Sequence, residues 1–186
     1  MPSLSSHMAI ACKIGDQLKV NKEEFIKGNL LPDLYNNKIK SHFKIQGNKY
    51  LIPDIDKAVE SLDINSSLNL GYISHLLLDK YYFDDYLLKY DKDLFQDSEI
   101  YKDYDIINID IIRHFRLDID YLKSILKDFP EGINNKKLKN NLKCLELNID
   151  DDTKILNKKD FIKFLDNVVD KVKEDLENII RREKDG

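Results

Sequence analysis

Apolar residues recur at helical intervals over most of the chain. From about Ser66 to Tyr90, Leu68, Tyr72, Leu76, Leu77 and Phe83 recur in this way. From about Tyr104 to Phe129, Ile107, Ile111, Phe115, Leu122 and Ile125 do the same. A first helix is predicted from about Ser5 to Leu18, with Ser5 or Ser6 as its cap. A second begins after Asn21, where Glu23 and Glu24 put acid in the first turn, and is expected to stop near Pro32. From Tyr35 to Asp54 the pattern is irregular, and Ser41 to Ile52 reads as a short strand pair or as loop. Pro53-Asp54 opens a short helix through Ala58, Val59 and Leu62. Pro130-Glu131-Gly132 breaks the helix before it, and a helix through Leu138, Leu142 and Leu145 follows. Asn157 caps a last helix with Phe161, Phe164, Leu165, Val168, Val172, Leu176 and Ile179 as its stripe. The prediction is one all-α domain over residues 1–186, a helical bundle completed by helices at about 134–184.

Composition supports this and narrows the function. The chain has 186 residues, 42% hydrophobic and 34% charged, with only 4 prolines and 6 glycines. So few breakers favour helices joined by short loops over a turn-rich β fold. The net charge is −4, and the basic residues form no stripe suited to a nucleic-acid backbone. No apolar run approaches the roughly 18 residues of a membrane span. The start, Met-Pro-Ser-Leu-Ser-Ser-His, lacks the basic and apolar regions of a signal peptide, so a cytoplasmic protein is expected. Cys12 and Cys144 then read as free thiols. Nothing in the sequence sets an oligomeric state.

The candidate chemistry lies in the histidines. There are 4, and two begin the spacing His-x-x-x-Asp: His75 with Asp79 and His114 with Asp118. Four residues turn a helix by about 40° beyond a full turn, so each pair would share a face and could grip one divalent cation. Taken alone, such a pair is equally an (i, i+4) hydrogen-bonded pair on a wetted face. His42 read alone is a loop histidine, His7 a helix-start residue and Asp33 a turn or cap residue. Asp84-Asp85 reads as a solvated acidic patch, and Asp110 as a solvent residue. Tyr81, Tyr82, Phe83 and Tyr86 read as core, with a substrate cleft as the other possibility.

Taken together in chain order, Met1-Pro2, Ser6-His7, the segment Gly28 to Asp33, His42, and the two His-x-x-x-Asp pairs resemble the bacterial zinc-dependent phospholipase C family. That family shares a fold with the P1-type nucleases. The resemblance covers about residues 1–125 and points to a cytoplasmic branch. It implies an all-α bundle holding Zn2+, two ions with a third at the edge. One site would take Asp33, His42, His75 and Asp79. A second would take Asp33, His114 and Asp118, with Asp33 bridging. The peripheral ion would take His7 and share Asp79. Asp85 stands ten residues after His75, where the family has another histidine, and a carboxylate also ligates zinc. On a straight helix ten residues turn about 1000°, which leaves Asp85 about 80° from His75, so the helix must bend near Phe83. Tyr82, about 20° away, is its geometric rival. The larger share of carboxylate would also suit Mn2+ or Fe2+.

The function the resemblance implies is hydrolysis of a phosphoester by a metal-bridging water, with Asp33 as general base or water-orienting group. The substrate would be a phosphodiester or phosphomonoester, phospholipid included. The sequence has no Gly-x-Ser-x-Gly elbow, no Walker-type phosphate loop and no dinucleotide fingerprint. Two other classes remain: a helical phosphohydrolase of the HD type, whose adjacent His-Asp doublet is missing here, and a non-catalytic helical protein that keeps some of the ligands.

Overall fold

The computed structural model describes residues 2–90, 98–127, 129 and 133–185. Within these residues the chain forms nine α-helices and one two-stranded ribbon. Helix α1 (Leu4–Gly15) is capped by Ser3, whose side chain accepts the Ser6 N–H. Most of its residues are buried, including Met8, Ala9, Ile10, Ala11 and Ile14, so α1 runs through the interior. Helix α2 (Lys22–Leu34) is capped by Asn21. The all-α expectation therefore holds, and the ribbon is the strand pair allowed for in residues 41–52.

Pro32 does not end α2. It lies inside the last turns and the helix continues to Leu34, so Asp33 is helical and not part of an extended turn. The missing N–H of Pro32 removes the bond to the carbonyl of Gly28, near the helix end where the loss is small.

Helix α3 (Lys38–Ser41) leads into β1 (Lys44–Gln46), which pairs antiparallel with β2 (Leu51–Pro53), Ile45 opposite Ile52. Phe43, between α3 and β1, has φ 46°, a left-handed backbone that is strained for a residue with a Cβ. It lies between His42 and Lys44. Helix α4 (Ile55–Ser61) is capped by Asp54 and α5 (Ser67–Tyr81) by Ser66. Beyond α5 the helix widens into a π turn over Tyr82–Tyr86 and tightens over Leu87–Lys89. The helix is thus irregular near Phe83, but Asp85 stays exposed.

Helix α6 (Glu99–Phe115) ends at Arg116, which takes φ 53°, ψ 48°. A separate helix, α7 (Ile119–Ile125), then starts. The expected single helix from Tyr104 to Phe129 is thus two. Helices α8 (Asn135–Cys144) and α9 (Lys158–Asp185) follow, the latter capped by Asn157, whose side chain accepts the Asp160 N–H. The expected break at Pro130-Glu131-Gly132 lies outside the described residues.

Helix α5 packs against α1, α2, α4 and α9, and one hydrophobic cluster joins residues from α1 through α9. The α2–α5 crossing is unusually close. A Cβ on Gly28 would sit 1.7 Å from the Leu68 carbonyl oxygen, and one on Gly71 would sit 1.9 Å from that of Phe25. Only glycine lets the two backbones meet there. The contact brings the α2 backbone within reach of the histidine on α5. Tyr82 and Tyr86 are core, as expected, stacked on each other and each edge-to-face with Phe161.

Candidate metal centre

Five residues from the first half of the chain converge: His7 of α1, Asp33 of α2, His42 at the end of α3, and His75 and Asp79 of α5. Two overlapping sets place their donor atoms within 4.8 Å of one another: His7, His75 and Asp79, and Asp33, His42 and His75. All are buried except Asp33, whose side chain is 16% exposed.

The imidazoles are oriented from behind. His75 Nδ1–H donates to the Asn29 carbonyl at 2.7 Å, a contact that the glycine crossing makes possible. Ser41 Oγ donates to the Pro32 carbonyl at 2.8 Å and so is left to accept from His42 Nδ1–H at 3.0 Å. The Tyr72 hydroxyl donates to the Ser41 carbonyl. This network assigns the proton of both rings to Nδ1 and leaves both Nε2 atoms as bare lone pairs. Burial, reinforced by His7 and opposed by Asp79 and Asp33, lowers His75 to about 3. Burial also lowers His42, against the pull of Asp79 and Asp33. Both rings are therefore neutral near pH 7.

Those two Nε2 atoms face each other at 3.2 Å. Lone pair against lone pair at that distance is unfavourable unless a cation lies between. Asp79 Oδ2 stands 3.6 Å from His42 Nε2 and 3.7 Å from His75 Nε2, and Asp33 Oδ1 is 3.7 Å from His42 Nε2. A tetrahedral zinc with bonds of about 2.0–2.1 Å has ligand–ligand edges of about 3.3–3.4 Å. The observed spacings are close to those edges.

Asp79 gives a second sign. Both of its oxygens are buried and have no hydrogen-bond donor among the described residues, and both ring nitrogens of His7 are in the same position. Burial opposes ionisation of Asp79, but His7, His75 and His42 hold its carboxyl below the ordinary carboxylate range. Burial likewise opposes ionisation of Asp33, and His75 and Lys38 outweigh it, bringing that carboxyl to about 2. Two carboxylates and neutral imidazoles with bare nitrogens are the donor set zinc takes, so the residues present fit the ion. His7 stacks on His75 at 3.8 Å, with its Nε2 3.5 Å from the other Asp79 oxygen.

The remaining expected ligands are not brought here. Because Arg116 ends α6 in the left-handed conformation, His114 and Asp118 do not share a helix face. His114 is 43% exposed and pairs with Asp166 of α9 at 2.8 Å. Asp118 caps α7 by accepting the Tyr121 N–H at 2.9 Å. Asp85 lies in the π turn but is exposed and pairs with Lys171 at 2.6 Å. Tyr82, its geometric rival, bonds to the Tyr104 hydroxyl inside the core. Asp110 is near Lys158, as a solvent residue would be.

A cleft of about 600 Å³ opens beside Asp33 and is also lined by Lys38, Lys44, Tyr50 and Phe83. Phe83 thus satisfies both readings of the aromatic group, since it is largely buried yet forms cleft wall. Sequence reasoning missed the two lysines, and no spacing signal distinguishes them in a lysine-rich chain. It also missed Asn29 and Ser41, the groups behind the histidines; Ser41 is legible only through its adjacency to His42.

A family model described as zinc dependent phospholipase C matches residues 3–161. The match extends past the expected limit near residue 125, through α7 and α8 into the start of α9. Comparison with curated proteins and with solved structures gives no match. The matched span contains all five clustered residues, and on that match the chain belongs to the zinc-dependent phospholipase C family.

Proposed function

We propose that the protein is a metal-dependent phosphoester hydrolase whose principal ion is zinc, held by His42 Nε2, His75 Nε2 and Asp79, with Asp33 on the cleft side beside the position left for water. Family membership and the His/Asp cluster support the hydrolase class. The observation that carries the reading is the 3.2 Å approach of two unprotonated imidazole nitrogens beside a buried carboxylate with no hydrogen-bond donor.

The two candidate ligand sets share His75, whose Nδ1 is committed to Asn29. Its single remaining nitrogen serves one ion. Because His114 and Asp118 lie elsewhere, a second strongly held ion has few ligands in reach. His7 with the outer oxygen of Asp79 forms half a site. The reading is therefore one tightly bound zinc per chain, with a weaker second position at His7.

Bound zinc would supply Lewis-acid polarisation of a phosphoryl oxygen and a water acidified towards neutrality. The protein supplies the rest. Asn29 and Ser41 hold the two imidazoles in register. Asp33 is the clustered residue that lines the cleft, and it orients the attacking water through the oxygen not engaged by Lys38. The cleft volume lies within the range for small-molecule sites, so it can take a phosphoester headgroup or a soluble phosphoester.

Metal analysis of the purified chain, together with hydrolysis of bis(p-nitrophenyl) phosphate before and after chelation, tests the reading. One zinc per chain and hydrolysis lost on chelation and restored by zinc are expected. Bound zinc with no chelator-sensitive turnover would favour a non-catalytic metal-binding protein instead.

A further inference from the structure

We propose that Lys38 and Lys44 form an anion-binding subsite in the cleft, which holds the non-bridging oxygens of the substrate's phosphoryl group against the metal centre. This rests on the hydrolase reading for its ligand and adds the residues that recognise it.

The lysines flank His42 in sequence, and both line the cleft. Lys38 opens α3 and contacts Asp33 Oδ1 at 2.9 Å, on the carboxylate that faces the cleft. Lys44 opens β1, and the left-handed Phe43 turns the chain between it and buried His42. Lys44 is half-buried, lines the same cleft and has no carboxylate partner within ion-pair distance among the described residues. Its ammonium lies 5.8 Å over the Phe83 ring, which also lines the cleft. A partly desolvated ammonium without an anion is costly, and a strained backbone residue beside it adds to that cost.

Charge gives the reason for such a pair. A divalent ion with two aspartates is neutral overall and attracts an anion weakly. Two ammonium groups restore a net positive cleft in a chain whose net charge is −4. Lysine is a common phosphate-binding residue, acting as a point charge with three donors. In a centre with one strong ion, the lysines stand where a second cation would otherwise neutralise the phosphoryl oxygens.

The test uses the full zinc-loaded chain and inorganic phosphate as probe. Phosphate is titrated calorimetrically into the wild type and into Lys38→Gln, Lys44→Gln and the control Lys40→Gln, an exposed lysine of the same short helix. Zinc content is measured on each. Expected is phosphate affinity weakened about tenfold or more in Lys38→Gln and Lys44→Gln, the loss of one charge-assisted hydrogen bond each, with zinc content kept. Lys40→Gln should match the wild type. Unchanged phosphate affinity in Lys44→Gln, or equal losses in Lys40→Gln, would overturn the subsite. A wild type that holds zinc but binds no phosphate would also overturn it while leaving the metal centre intact. Lysine-dependent phosphate binding without phosphoester turnover would instead sink the hydrolase reading and leave the subsite standing.

Discussion

Asp79 and Asp103 are both fully buried carboxylates on long helices, and the protein treats them in opposite ways. Asp103 accepts three backbone N–H bonds, from Lys154, Ile155 and Leu156 at 2.9, 2.7 and 2.8 Å. It pins the segment before α9 onto α6, and those donors compensate the cost of its burial. Asp79 has three imidazoles around it at 3.5–3.7 Å and no hydrogen-bond donor among the described residues. Removing an ionised carboxylate from water costs several kcal/mol, which must be recovered through hydrogen bonds or a cation. Asp103 recovers it from the backbone and is structural. Asp79 has only imidazoles to meet its charge, the surroundings expected of a metal ligand.

The largest effect expected from this contrast is in Asp79→Asn. Zinc affinity should fall by more than the roughly 10–100-fold typical of losing an outer-shell group, as measured by competition with a chromogenic chelator. Asp103→Asn should act on stability instead. Urea unfolding of the metal-free chain should show a loss of about 2–3 kcal/mol, while zinc per folded chain is kept. Zinc loss without destabilisation would break the division.

A smaller effect sharpens the account of how the ligands are held. Ser41→Ala removes the acceptor behind His42 Nδ1, and zinc affinity should fall about 10–100-fold with little change in apo stability. No change in affinity would mean that the serine does not set the ring. The smallest effect is expected at His114→Ala. Its pair with Asp166 is exposed, so stability should move by no more than about 1 kcal/mol and zinc content not at all. Loss of zinc there would restore the second pair to the centre.

The contrast also explains what the sequence could and could not disclose. His75 and Asp79 lie within one uninterrupted helix, so their spacing translates directly into shared position. His114 and Asp118 have the same spacing, but Arg116 ends the helix between them without a glycine or proline to signal it. Asp33 was findable from its order among the motifs, although its backbone was not, because Pro32 sits where a helix tolerates it. Asp103 looks like any acid on a helix until the segment before α9 folds onto it. Lys38 and Lys44 gain meaning only from the turn at Phe43 and the cleft, which no periodicity encodes. The helical architecture was legible because apolar spacing carries it, and the close α2–α5 crossing was not, since it depends on two glycines far apart in the chain.

The central claim is that one ion sits among His42, His75, Asp79 and Asp33. A crystal of the zinc-loaded chain, measured at the zinc absorption edge, tests it most directly. Expected is a strong anomalous peak about 2.0–2.1 Å from both His42 Nε2 and His75 Nε2, with an Asp79 oxygen as the third protein ligand. A principal peak between His114 and Asp166, or no peak at the buried cluster, would contradict it.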